Sequence, residues 1–186
     1  MTCRLLPVTA SLKMPRLVTE GEIKVGDIGF AHTTGVLGGL IRAGEKLKWR
    51  ECEWNHTFVV VSVGELANEI WIAQATLKGV VVSNLHNLIE SGASIHIVHP
   101  PKEVNPNRVA DFAHAQVGKP YGLLSDLCIA TDILTPDWFL SVRRNGTWIC
   151  SALAAEALRY GGVYFDWDDI YTVTPTQLWI AIRPQS

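Results

Sequence analysis

Charge is scarce in this chain. Asp, Glu, Lys and Arg make up only 18% of its 186 residues, the formal net charge is -2, and no basic run interrupts the sequence. A surface with no basic stripe has little to offer a phosphate backbone, so nucleic acid is excluded as the main partner. Long apolar runs are lacking as well. None approaches the roughly 20 residues needed to cross a bilayer, and no membrane span is expected. Near the start, the apolar stretch Leu5-Leu6-Pro7-Val8 is too short for the core of an export signal and is broken by Pro7. The chain is therefore expected to be cytoplasmic as synthesised. Its four cysteines, Cys3, Cys52, Cys128 and Cys150, are scattered without short spacings. That pattern is neither a disulfide framework nor a set of zinc ligands, and nothing calls for a metal or another cofactor. Repeats, low-complexity tracts and linkers are missing too.

What is present is enough apolar sequence for one core. Hydrophobic residues account for 48%, and a chain of this length buries a core without staples. Residues 1–24 are the least patterned and are expected to form an irregular lead-in. Residues 25–186 are expected to form one domain. Gly26-Asp27 reads as a turn into a short strand, Ile28-Gly29-Phe30-Ala31-His32. Residues 35–48 have roughly helical apolar spacing, weakened by Gly38-Gly39. A β-rich block follows: residues 57–63, rich in β-branched side chains, then 70–75, 79–83 and 94–99, the last stopped by Pro100-Pro101. Short links between these strands suggest an antiparallel meander.

The second half reads as helical. Asn105-Pro106 suits the cap and first turn of a helix that runs to Val117 and ends at Gly118 and Pro120. Residues 121–134 read as a looser helix or a helical loop. The clearest helical pattern is 149–160, alanine-rich, with Ile149, Leu153 and Ala157 in one row and Gly161-Gly162 at its end. Pro175 opens a last short helix or strand through Ile182. The sum is an α+β domain.

Cys150 falls in the first turn of the alanine-rich helix if Thr147 or Asn145 caps it. Unpaired backbone N–H groups and the positive end of the helix dipole favour an anion there, and a thiolate is one. The same N–H groups suit the oxyanion of a tetrahedral intermediate. The plainer reading of Cys150 is a buried structural cysteine. Cys3, Cys52 and Cys128 have no comparable setting, and Cys128, between Leu127 and Ile129, reads as core.

A thiol nucleophile needs a base with a fixed ring. His56 heads the strand 57–63, where a sheet would hold it, although a polar residue merely entering a strand looks the same. Among the other histidines, His114 sits mid-helix, and His96 with His99 near a strand end lacks carboxylate or thiol company for a metal. His32 and His86 also compete. A third polar group usually orients the base. Gln74 is the lone amide in the strand Trp71-Ile72-Ala73-Gln74-Ala75 and is hard to justify as packing. It is preferred over Asn55 and His86.

Laid out in order, five stretches resemble the permuted branch of the NlpC/P60 superfamily, papain-like hydrolases that include YiiX-like proteins and relatives of lecithin:retinol acyltransferase. Gly26-Asp27-Ile28-Gly29-Phe30 is similar to the opening "GD-x-x-F" strand, and Asn55-His56-Thr57-Phe58-Val59-Val60 to the strand that brings the histidine. Ile72-Ala73-Gln74-Ala75 is similar to "hydrophobic-E-A", Gly118-Lys119-Pro120-Tyr121 to "G-x-P-Y", and Trp148-Ile149-Cys150-Ser151 to "F-C-S". The resemblance spans roughly residues 25–182.

It implies a small antiparallel sheet with a nucleophile-bearing helix packed on it, and a Cys150, His56, Gln74 triad acting through an acyl-enzyme. By analogy Tyr121 would sit beside the thiol and help with the oxyanion; an aromatic core role reads equally well. The implied substrate is an amide of cell-wall peptide (peptidoglycan), with a lipid or thioester acyl group as the alternative. A third alternative is a non-catalytic binding or structural module of a larger assembly such as a phage tail. A wall-cleaving enzyme without an export signal would reach its substrate by another route, for example with a virion. Two departures stand out. Gln74 occupies a position where relatives often carry Glu, which leaves the orienter neutral. The stretch 122–145 is long and holds Trp138-Phe139, which would alter the floor or lid of the groove.

Overall fold

The structure is a computed structural model that describes residues 17–19, 21–33, 54–66, 69–121, 148–167 and 169–183. The expected helices at 35–48 and 121–134, the Trp138-Phe139 stretch, Thr147, Asn145 and the other three cysteines lie outside the described residues, apart from Tyr121 itself.

Among the described residues six strands form one sheet: β1 (Leu17–Thr19), β2 (Ile28–His32), β3 (His56–Val63), β4 (Ile70–Thr76), β5 (Gly79–Asn84) and β6 (Ser94–Val98). Their order is β1-β6-β2-β3-β4-β5. The meander expectation holds for β3 to β5, which pair antiparallel in sequence order, and β2 adds antiparallel to β3. It fails for β6, which returns to the far side of β2, with Ile28 opposite Val98. A six-residue helix, α1 (Leu85–Glu90), fills the link between β5 and β6. It carries the chain away from the β5 edge, so β6 finds its hydrogen bonds on the open side of β2. The lead-in is not wholly irregular either. Leu17–Thr19 pairs parallel with β6, giving that edge a partner for its exposed backbone groups.

The helices are α2 (Pro106–Ala115), α3 (Cys150–Gly161) and α4 (Pro175–Ile182). Asn105 caps α2, its side chain accepting from the N–H groups of Asn107 and Arg108. Thr174 and Gln177 form a reciprocal capping box at α4. At the far end of α3, Gly162 takes the left-handed conformation (φ 118°) that a helix stop favours.

Alternation along the strands splits the sheet into two faces. Ile28, Phe30, Val59, Ala73 and Val98 pack in one cluster with Val109 and Ala113 of α2, Ala154, Ala157 and Leu158 of α3, and Leu178 of α4. Ala31, Phe58, Val60, Ile72, Ile95 and Ile97 lie in a second cluster with Leu85 of α1. The architecture is α+β, a sheet with three helices on one face. Apolar stripes at period 2 in the strands and helical spacing in α3 are what make both faces possible.

The opening Gly26-Asp27 motif has a structural task. Gly26 (φ 87°) approaches Pro106 so closely that a Cβ there would lie 2.5 Å from the Pro106 carbonyl oxygen. Asp27 is buried; its carboxylate accepts the Lys24 N–H at 2.7 Å and meets His99 Nδ1 at 2.8 Å. Burial pushes the Asp27 carboxyl above its ordinary range, and the bond to His99 opposes that shift.

Candidate active site

His56 is the first residue of β3, pinned where Ala31 of β2 pairs with it. Its Nε2 lies 2.7 Å from Gln74 Oε1. The β3–β4 register, Val59 opposite Ala73 and Val60 opposite Ile72, puts Gln74 two residues from Ile72 and on the same face as His56 and Phe58. An amide oxygen only accepts, so Nε2 carries the ring proton and Nδ1 is left with its lone pair. Burial lowers the His56 pKa below the ordinary histidine value, and the bond from Gln74 works in the opposite direction. The ring is therefore neutral at pH 7 and fit to accept a proton.

Gln74 is only 9% exposed, and its other amide end is satisfied too. The Gln74 Nε2–H donates to Ser83 Oγ on β5 at 2.8 Å. Ser83 pairs with Ile72 across β4–β5, which places it on the same face. Nothing in the sequence pointed to Ser83. Only the β5 register brings it there.

Cys150 is the first residue of α3, as the first-turn expectation required, but the cap differs. Ile149 occupies the N-cap position in extended conformation (φ -94°, ψ 159°), with no side-chain capping bond. The chain stays extended up to this point because Trp148 forms a parallel bridge with Tyr121 and its N–H bonds to the Pro120 carbonyl at 3.0 Å. The first intrahelical bond runs from Leu153 N–H to Ile149 C=O, so the N–H groups of Cys150, Ser151 and Ala152 precede the helical ladder. Ser151 Oγ donates to the Val173 carbonyl at 2.6 Å and ties down this first turn.

The "G-x-P-Y" stretch is the splice between the sheet and this helix. Gly118 N–H bonds to Val80 C=O, and Val80 N–H bonds to Lys119 C=O, both at 2.9 Å. Tyr121 then packs, half-buried, against the cluster of Ala75, Val80, Trp148, Ile149, Cys150, Ala152 and Leu153. Its placement beside this cluster accommodates both sequence readings, the aromatic core residue and the neighbour of the thiol.

The structure thus brings His56 and Gln74 into contact, while Cys150, 5% exposed, joins the apolar cluster of Ala75 and Val80 on the helix face. Alternation sends Gln74 and Ala75 to opposite faces. Continuing the β3–β4 register from Val59 opposite Ala73 brings Thr57 opposite Ala75. The cysteine's cluster therefore lies at the end of the sheet where His56 begins β3.

The competitors are placed elsewhere. Asn55 exchanges bonds with Thr33, accepting from its N–H and donating to its C=O, each at 2.8 Å. His86 sits exposed on α1, 3.2 Å from Glu90. His96 packs edge-on against Trp54 and Trp179, His99 is bound to Asp27, and His114 is exposed on α2. Among the described residues no group of three or more His, Cys, Asp or Glu comes together as a metal site. No helix among them is long and apolar enough to cross a membrane.

A mixed sheet with a histidine at the head of a central strand and a late helix headed by a cysteine is the papain-like hydrolase architecture in permuted order. The model of the permuted papain-like amidase enzymes, the YaeF/YiiX or C92 family, matches residues 22–127, more than half of the chain, and the chain belongs to that family. It is accordingly a cysteine hydrolase of amidase type. The matched stretch includes β2 to β6, His56 and Gln74, and ends before Cys150. A search of curated proteins finds no match.

Proposed function

We propose that Cys150 is the nucleophile, His56 its general base and Gln74 the residue that orients the base, in an enzyme that cleaves amide bonds of cell-wall peptide. The observation that carries this reading is the 2.7 Å bond between His56 Nε2 and Gln74 Oε1, which holds the ring proton on Nε2 and leaves Nδ1 as the accepting nitrogen. His56 stands at the first residue of its strand, and this reading requires the thiol from the helix side to meet the ring at that end of the sheet. The thiol proton passes to Nδ1 as Sγ attacks the substrate carbonyl. The oxyanion is met by the Cys150 N–H. His56 then protonates the departing amine, leaving a thioester on Cys150. Water attacks that thioester, gives its proton to His56, and releases the carboxylate and the free thiol.

The amide bond as target follows the family; the choice of cell-wall peptide follows the NlpC/P60 resemblance. In this reading residues 25–186 act as one hydrolase domain and Tyr121 lines the groove beside the thiol. The test is incubation of purified protein with cell-wall peptides and mass spectrometry of the products. Release of a free amine and a carboxylate by the parent, and none by Cys150→Ala, supports the reading; cleavage that survives in Cys150→Ala overturns it. A second reading, a binding module with an inert thiol, is favoured by the apolar packing around Cys150. It predicts no cleavage by either protein but retention of the peptides by both.

A further inference from the structure

We propose that Ser83 is a positioning residue for the base, acting by fixing which end of the Gln74 amide faces His56. This rests on the reading of His56 as base. An amide side chain has two orientations of nearly equal shape and opposite polarity. With Oε1 toward the ring, His56 carries its proton on Nε2 and keeps a basic Nδ1. Turned over, the amide presents N–H to the ring, the proton moves to Nδ1, and that nitrogen no longer accepts from a thiol. The turned orientation also sets donor against donor once the ring becomes an imidazolium, the state reached after each proton transfer.

The observed geometry selects the useful orientation at both ends. Gln74 Oε1 accepts from His56 Nε2 at 2.7 Å and Gln74 Nε2 donates to Ser83 Oγ at 2.8 Å. Gln74 is buried on strand β4 with Phe58 and Ile72, both fully buried, on its own face, and Ser83 Oγ is the acceptor its amide N–H meets there. Ser83 itself is held by the strand pairing that sets Ser83 opposite Ile72 and Asn84 opposite Trp71. The chain of contacts runs across three adjacent strands, β3, β4 and β5. A neutral orienter makes this support necessary: a carboxylate is the same from both ends, whereas an amide must be told which way to face.

The variants are Ser83→Ala, which removes the acceptor, and Ser83→Thr, which keeps a hydroxyl on a β-branched strand residue. The readouts are the tautomer and pKa of His56 by nitrogen-15 NMR of the whole protein, together with kcat and KM for peptide cleavage. The parent is expected to show neutral His56 protonated at Nε2. Ser83→Ala is expected to show a mixed tautomer, a lower His56 pKa, and kcat reduced about 10-fold with KM unchanged, while Ser83→Thr restores all three. A parent-like tautomer and pKa in Ser83→Ala would overturn the proposal. So would a loss of kcat that Ser83→Thr fails to restore, since that pattern marks a structural residue. Failure of the base assignment reads out separately: if His56→Ala keeps full activity, His56 is not the base, yet the NMR comparison still decides what Ser83 does.

Discussion

The two halves of the candidate site are held by different forces. His56 and Gln74 are set by strand register and by hydrogen bonds of defined length, so their mutual geometry is specified to within a rotamer. Cys150 is set by where a helix begins and by apolar packing against Trp148, Ile149 and Leu153. Directional bonds fix an orientation, whereas packing fixes a volume. The base half is accordingly sensitive to single polar changes, and the nucleophile half to changes of size. The family match divides the same way, covering the sheet with its histidine and stopping short of the helix.

Substitutions sharpen this contrast, and the largest effect falls on the nucleophile. Cys150→Ala is expected to reduce turnover to background while leaving circular dichroism and the melting temperature close to the parent, because a small apolar residue fits the same cluster. Loss of the base comes next. His56→Ala is expected to lower kcat/KM by roughly 1,000-fold, within the range general bases supply, and steady-state kinetics measures it. Gln74→Ala is smaller, about 10- to 100-fold. Gln74→Glu is the more informative change at that position. A carboxylate stabilises the imidazolium and makes thiolate formation at Cys150 less favourable, so both limbs of the pH–rate profile move to higher pH. An unmoved profile would detach Gln74 from the titrating pair.

The smallest expected effect concerns stability. The His56 pKa is lowered in the folded protein from the ordinary 6.5 by burial. Well above pH 6.5 the ring is neutral folded or unfolded. As pH falls from there toward the lower folded value, the unfolded chain takes up the proton first and stability declines. Denaturant titrations at pH 7.5 and pH 5 are expected to show this decline in the parent and a shallower one in His56→Gln.

Much of this was legible in the residues themselves. The strands β2 to β5 follow from β-branched runs with turn residues between them, and Asn105-Pro106 and Pro175 mark two helix starts through local chemistry alone. Gln74 was identifiable because an amide in an apolar strand demands a partner. What escaped is non-local. The position of β6 beside β2 depends on where the chain goes after β5, and the parallel pairing of Leu17–Thr19 on an edge that β6 first has to create. The bond between Asp27 and His99 joins groups 72 positions apart. Ser83 looks like any strand serine until the register of β5 is known. The start of α3 was foreseen within a residue, but through a capping side chain, whereas a bridge to Tyr121 holds the chain extended up to Ile149.

The central claim is that the imidazole on the sheet activates the thiol at the head of the helix, and the labelling rate of Cys150 by iodoacetamide as a function of pH tests it most directly. With labelling at Cys150 confirmed by peptide mapping, the account predicts rapid alkylation below pH 7 that collapses in His56→Ala. Alkylation that rises only near the ordinary thiol pKa of about 8.5, at the same rate with and without His56, would contradict it.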